Sequence, residues 1–393
     1  MTAVTVNEDR HLNPELPALL RLARTENVGP VTWRRLMQEY SSAEEALAAL
    51  PERARRGGRK GPLRIPEQAE IEREIEGVLS LGGRIVTLFD PDYPPLLAEL
   101  PDSPPILSIL GNGACLSAPR SVGIVGARNA SAAGMRFAES LATELSHAGI
   151  TVISGLARGI DAAAHRGALH GSFPEWGSSV AAIAGGLDVV YPTENAALQT
   201  LLAEKGAVVT EAPLGTQPQA RHFPRRNRLI AGLSLGTVVV EAAMNSGSLI
   251  TAQLADRYSR ALFAVPGSPL DPRCRGSNDL LRTRNAHLVE TIEDILPYLR
   301  HSHAAAGQVL SGFAEAQEEW GAPSAAGDAD LDRVRRMIPS LISFTPVPVD
   351  DLVRRCQFSV SAVLTVLTEL ELAGRAEMLP GGAVVQLMPD GTG

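Results

Sequence analysis

Short apolar runs in this chain stop, one after another, at glycine, arginine or a small polar residue. Ser121–Val125 meets Gly126-Ala127-Arg128, residues 151–153 meet Ser154-Gly155, residues 179–183 lead to Gly185-Gly186, and residues 236–240 meet Glu241. Such β-branched runs read as strands buried on both faces. In a parallel sheet their ends share one edge, where backbone N–H groups and helix N-termini can hold an anion. The same stretch carries His222-Phe223-Pro224-Arg225-Arg226-Asn227-Arg228, with no acidic residue from Ala212 to Val240. A phenylalanine among arginines suits a single-stranded nucleic acid, because the ring stacks on a base while the guanidinium groups take phosphates. The alternative makes Phe223 core and the arginines structural ion pairs. The lack of a nearby acid in the sequence favours binding.

Gly126 and Arg128 could act together on a phosphate: the glycine admits a close backbone approach, and the guanidinium offers a planar fork of donors. A tight turn beside a surface arginine would explain either residue alone. Ser154 and Gly155 could add a hydroxyl and an amide at the same edge. Ser246, Gly247 and Ser248 open a helix and let a phosphate approach its N-terminus, unless they only form a tight, packed helix entry. Asp161 reads as a helix N-cap rather than an acid catalyst. His165 reads as a helix-face residue with a local hydrogen bond, and Glu241 as a carboxylate that orients arginines by ion pairing. The glycines do not spell GxGxxG, and no acid ends the second strand to hold a ribose hydroxyl. NAD is therefore disfavoured, and no cofactor or metal is expected.

The chain of 393 residues should form about two or three domains. With a net charge of -8 the whole molecule is not a basic nucleic-acid binder, so such a site must be a local patch on an acidic body. Cys115, Cys274 and Cys356 lie far apart with no CxxC, which argues against disulfides or structural zinc and fits a reducing cytoplasm. The polar N-terminus lacks a signal-peptide core, and no apolar run reaches membrane-spanning length.

Residues 16–50 read as short helices: Leu19, Leu20, Leu22 and Ala23, then Asn27-Val28-Gly29-Pro30, then Trp33, Leu36 and Met37. The pattern suits a helix-hairpin-helix or SAM-like module whose turn amides could touch DNA phosphates. A packing domain in which Gly29 merely ends a helix fits equally well. Residues 51–66 read as a basic, solvated loop, with an auxiliary phosphate-binding loop as the lesser alternative. Alternating strands and helices over 83–300 specify a doubly wound, mostly parallel sheet. A flexible linker is expected over 301–328. Residues 329–393 give helices near 330–338, 349–355 and 359–372, then a two-stranded wing, the pattern of a winged helix. The third helix carries Thr365, Thr368 and Glu369 but no lysine or arginine, so protein contact is favoured over duplex reading.

Taken together, Val125 to Arg128, Ser154 to Asp161 with His165, Gly186 to Pro192, Phe223 to Gly232 and Val240 to Thr251 resemble the blocks of the DNA-processing protein A (DprA/Smf) family. Tyr93-Pro94-Pro95-Leu96-Leu97 and Pro104 to Asn112 match as well, so the likeness spans about 90–300. It implies a Rossmann-like domain flanked by the SAM-like module, residues 1–82, and the winged helix. It further implies a non-enzymatic, cytoplasmic homodimer that binds single-stranded DNA. The protein would protect incoming DNA and load a RecA-type recombinase in natural transformation. The DNA site would comprise Gly126, Ala127, Arg128, Ser154, Gly155, Arg221, Phe223, Arg225, Asn227, Arg228, Ser246, Gly247 and Ser248. Ala127 stands where the family commonly has serine, which removes a hydroxyl donor and leaves the amide. Ala220-Arg221 occupies a region where a lysine is common, and Arg221 is its substitute. Residues 170–178 are longer than the family norm.

A nucleotide-hydrolysing enzyme of the phosphoribohydrolase type is the alternative. Its glycine motif is closely followed by a glutamate, whereas after residues 246–251 no carboxylate occurs here until Asp256. The acid that would stabilise an oxocarbenium-like transition state is then missing. A third reading is an adaptor whose winged helix recruits partners around a vestigial DNA site.

Overall fold

The computed structural model describes residues 13–171, 178–284, 286–299, 328–379 and 382–387, with side chains from 331 in the last unit. The expected linker lies outside them but for its last residue, as does most of the 170–178 segment.

The N-terminal module is helical: α1 (Leu16–Arg24), α2 (Pro30–Glu39), α3 (Ala43–Arg56) and α4 (Gln68–Ser80). Leu19, Leu20, Leu22, Trp33, Leu36, Leu50 and Ile71 form its core. Pro30 starts α2, where its missing N–H costs nothing, and Gly29 is the N-cap of that helix rather than the end of one. The loop expected from residue 51 begins only after Arg56. Ala43, Ala46, Leu47, Leu50 and Ala54 keep one buried stripe running past Pro51, so packing carries the helix through the proline. Arg53, Arg55, Arg59 and Arg64 of the basic run pair with Glu39, Glu52, Glu26 and Glu70. These partners remove the ground for a phosphate-binding loop there.

The central unit holds β1 (Arg84–Thr87), α5 (Pro95–Ala98), β2 (Ile106–Gly111), β3 (Ser121–Val125), α6 (Ala132–His147), β4 (Thr151–Ser154), α7 (Ile160–His170) and β5 (Ser179–Ala182). It continues with α8 (Ala196–Lys205), β6 (Ala207–Thr210), α9 (His222–Gly232), β7 (Gly236–Val239), α10 (Gly247–Arg257), β8 (Ala261–Ala264), α11 (Arg275–Thr283) and β9 (His287–Leu288). The sheet order is β1-β2-β6-β5-β4-β3-β7-β8-β9. Only β2 runs antiparallel to its neighbours, so strands β3 to β9 all end on one carboxyl rim. Connections leave β3 and β7 in opposite directions, which makes the gap between their ends the switch point of the sheet. Glu241 fills that gap: its carboxylate accepts the Ser131 N–H at 2.9 Å and the Ser131 hydroxyl at 2.5 Å, at the cap of α6.

In the last described unit, α12 (Asp328–Leu341), β10 (Val347–Pro348), α13 (Val349–Cys356), α14 (Val360–Leu372), β11 (Ala376–Leu379) and β12 (Ala383–Gln386) form a winged helix. Ser359 caps α14, its hydroxyl accepting from the Ala362 N–H at 3.2 Å. This third helix packs on α3 of the N-terminal module, and a Cβ on Gly57 would fall 1.9 Å from the Glu369 carbonyl oxygen.

Helices α6 and α7 lie against one another beside the sheet and set the height of the β4 turn. Their crossing is closed by Gly167, whose Cβ would meet the Glu139 carbonyl oxygen at 2.0 Å. Backbone cannot yield there as a flexible side chain would. Gly167→Leu should lower the unfolding free energy by roughly 1–3 kcal/mol, read by urea denaturation; an unchanged midpoint would show that the crossing is slack.

Candidate nucleic-acid interface

Helix α9 starts at the carboxyl rim and presents Phe223 there, half-buried. The Arg128 guanidinium lies 4.7 Å from the centre of the Phe223 ring, and that of Arg226 lies 5.9 Å from it. Tyr191, 45% exposed, has its ring centre 5.9 Å from the same ring. Arg128 and the arginine motif thus meet on one side of the molecule. A narrow crevice beside them is lined by Gly155, Gly185, Tyr191, Pro218, Phe223 and Arg226.

Gly155 is needed for this arrangement, since a Cβ there would sit 1.1 Å from the Arg226 Nη1. The buried Arg226 guanidinium instead brings Nη1 up to the β4 turn, 3.5 Å from the Asp161 carboxylate. Burial pushes the Asp161 carboxyl up from its ordinary value, and the Arg226 charge opposes that shift. Asp161 is not the N-cap expected of it: Gly159 holds that position, and the Asp161 carboxylate accepts the Ala157 N–H at 3.4 Å. His165 is fully buried, with Nε2 accepting the Leu156 N–H at 3.3 Å and Nδ1 2.7 Å from the Ser179 hydroxyl. Burial, aided by Arg226 and Arg166, lowers its pKa to about 3, so the ring is a neutral structural bridge at neutral pH.

The remaining motif residues point elsewhere, because α9 rotates successive side chains by about 100°. Arg225 faces outward and pairs with Glu377 at 3.2 Å. Arg228 turns inward, pairs with Glu211 and donates to the Asp102 carbonyl oxygen. Burial works against the Arg228 charge, yet Glu211 and Asp102 outweigh it and hold its pKa above the ordinary value. Arg228 is therefore a structural cation, not an open phosphate contact. Glu211 sits one residue before the acid-free window, and folding brings it back. Asn227 is buried too, its Nδ2 donating to the Gly247 carbonyl oxygen at 3.2 Å and tying α9 to the start of α10. Arg221 stays exposed beside His222, which burial, Arg221 and Arg225 shift down from its ordinary value.

Two further expectations, those for Ser154 and Glu241, need correction. Ser154 is buried and its hydroxyl donates to the Ile124 carbonyl oxygen at 2.6 Å, so it is no donor at the rim. Glu241 orients the start of α6 rather than an arginine. Gly126 is required by packing, for its Cβ would meet Ile160 Cγ1 at 2.6 Å, while the Ala127 carbonyl accepts the Ile160 N–H at 3.3 Å. At the entry to α10, the Ser246 and Ser248 hydroxyls are 2.8 Å apart and Gly247 is exposed. Arg226 and Tyr191 were missing from the expected site. A helical reading of residues 222–232 would have placed Arg226, three positions from Phe223, on the same face.

Comparison with known proteins gives a consistent picture. Residues 84–300 match the profile of the family described as DNA recombination-mediator protein A. Residues 14–77 match a DprA-like N-terminal HHH domain and residues 322–382 a DprA winged helix domain. Protein Smf of Synechocystis is 30% identical over 94% of this chain and 98% of its own. The DNA processing protein DprA of Streptococcus pneumoniae is 41% identical over 58% of this chain and 77% of its own. The X-ray structure of the Streptococcus pneumoniae protein superposes with a TM-score of 0.55 at 37% identity, covering 60% of this chain and 80% of that one.

The two arginine environments differ enough to be separated by stability alone. Arg228→Ala leaves Glu211 without its counterion and should cost roughly 3 kcal/mol or more. Arg128→Ala removes an exposed side chain and should stay within about 0.5 kcal/mol of the parent. Urea denaturation of both variants checks this, and equal losses would contradict the assignment.

Proposed function

The chain belongs to the DNA recombination-mediator protein A family, and from that premise we propose that its carboxyl rim binds single-stranded DNA. The observation that carries this reading is Arg128 stacked over Phe223 beside Tyr191 and the crevice. Arg128 is exposed, and among the described residues no carboxylate forms an ion pair with it. A cation held over an aromatic face, with a second ring alongside, can take a phosphate while a base stacks. Stacking and phosphate contacts do not read sequence, so specificity is low. The charge of the whole chain, -8, confines attraction to this rim.

We extend the reading to the protection of incoming DNA and its transfer to a RecA-type recombinase in natural transformation, by a homodimer. The family description as a recombination mediator supports it. The protein would act by binding rather than by catalysis. Asp161 is engaged by Arg226, Glu241 by the cap of α6, and His165 by Leu156 and Ser179. Among the described residues lining the crevice there is no carboxylate, which a nucleotide-hydrolysing site would need. No helix among the described residues is long and apolar enough to cross a membrane.

Oligothymidylate should bind more tightly than a duplex of equal length. If about four phosphates are engaged, log K should fall with log salt at a slope of about -2.8. Arg128→Ala should make that slope shallower by about 0.7. Phe223→Ala should weaken binding by roughly 1–3 kcal/mol at an unchanged slope. Titration by fluorescence anisotropy across salt reads all of these, and a salt-insensitive affinity would remove the proposal.

A further inference from the structure

Two carboxylates of the winged helix reach donors on the other two modules. Glu377 on β11 pairs with Arg225, which stands two residues past Phe223 in the first turn of α9. Glu371, near the end of α14, is buried against the start of α2. It accepts from the Thr32 hydroxyl and from the Met378 N–H at 3.2 Å, and its Oε1 lies 3.0 Å from where a Gly29 Cβ would be. Gly29 belongs to the hairpin turn that the sequence suggested as a phosphate contact, and Thr32 to the first turn of α2 that follows it. That turn already holds a carboxylate of the chain itself. Around this point Arg35 donates to the Ser361 carbonyl at 2.8 Å and to the Thr365 hydroxyl, and Leu372 joins the Trp33 core. The face of α14 that would enter a duplex groove is therefore covered.

We propose that the winged helix is an autoinhibitory clamp: Glu377 neutralises Arg225 beside the DNA rim and Glu371 fills the hairpin turn, so a strand running past Phe223 displaces the unit. This rests on reading the rim as a DNA site. The Arg225–Glu377 pair has side chains 58% and 38% exposed, which makes it weak, screened by salt and open to exchange with a phosphate. The buried seat is strained electrostatically as well. Burial pushes the Glu371 carboxyl up to about 7 against the Thr32 and Met378 hydrogen bonds; Glu377 adds to the rise and Arg225 opposes it. Arg59 and Arg375, which donate to the Leu372 and Gly57 carbonyls at 3.5 and 3.4 Å, and Arg35 are further cations at this seam. A raised carboxyl favours the protonated, docked form. Docking is thus strongest below the ordinary glutamate range and weakens as pH rises toward about 7.

The test uses the full chain with oligothymidylate, reading affinity by anisotropy and the cover over α14 by hydrogen exchange. Glu377→Gln should bind roughly two- to fivefold more tightly, the size expected from releasing one exposed pair. Glu204→Gln, which removes the same charge from the opposite end of the sheet, should bind like the parent. Gly57→Leu, which unseats α14 without touching the rim, should raise exchange in α14 before DNA is added. Its gain in affinity should not add to that of Glu377→Gln. Exchange in α14 of the parent should also be faster at pH 8 than at pH 5, after correction for intrinsic rates, and Glu371→Gln should lose this difference. Binding of oligothymidylate with unchanged exchange in α14, or equal affinities of Glu377→Gln and Glu204→Gln, would overturn the clamp alone. Failure of the parent to bind would instead overturn the rim reading.

Discussion

Burying a guanidinium beneath the rim is the constraint from which the surrounding geometry follows. Arg226 can lie against the β4 turn only because residue 155 has no side chain, and it stays charged there only beside Asp161. That pair fixes the first turn of α9 to the first turn of α7. Phe223, three residues earlier on α9, is then held with one face toward Arg128 and tilted against the Tyr191 ring. An unpaired buried carboxylate or guanidinium would shift its protonation or draw in water, and either would loosen the ring. The aromatic platform is thus positioned by an ion pair that itself meets no ligand.

The sheet was legible because β-branched runs punctuated by glycine leave few other options, and the shared rim follows from parallel pairing. The winged helix was legible from helical spacing and from the glycine pair that separates the last two apolar runs in the sequence. The arginine motif was not. Without a secondary structure assigned from sequence, residues 222–228 let all their cations point one way. As a helix, residues 222–232 send Arg225, Arg226 and Arg228 to separate surroundings. The acid-free window misled for a related reason. Ion pairs here form across the fold rather than along the chain, so Glu211, Asp161 and Glu377 supply the counterions from far away. Ser154 followed the same pattern in reverse, a rim residue by sequence whose hydroxyl is taken by the neighbouring strand.

The module interfaces show a second use of the same chemistry. Places where glycine brings backbones close, or where a helix begins, attract anions. The chain meets several of them with its own carboxyl groups: Glu241 at the cap of α6, Asp161 at the start of α7 and, with its protonated form favoured, Glu371 at the start of α2. An acidic protein that binds a polyanion must limit such self-pairing at its site and can afford it elsewhere. Glu241 is instructive, since it occupies the switch point where a doubly wound sheet would ordinarily hold a nucleotide. The surface proposed to face DNA lies to one side of it, toward β4 and β5, where glycine and aromatic residues accompany Arg128 and Arg226.

Exposure then sorts the cations of the rim by what each can exchange. Arg226 and Arg228 have side chains only 6% and 3% exposed, so giving up their carboxylates would strand buried charges. Arg225 shares a solvated pair whose partner lies on another module, so a phosphate can replace that partner at little cost. Arg128 is stacked on an aromatic face, which orients a guanidinium without saturating its hydrogen-bond donors. If DNA binds at this edge as proposed, Arg128 offers its phosphates an open cation and Arg225 an exchangeable one, while the buried cations hold the platform still. This sorting follows from burial and pairing, and the number of arginines in the motif does not determine it.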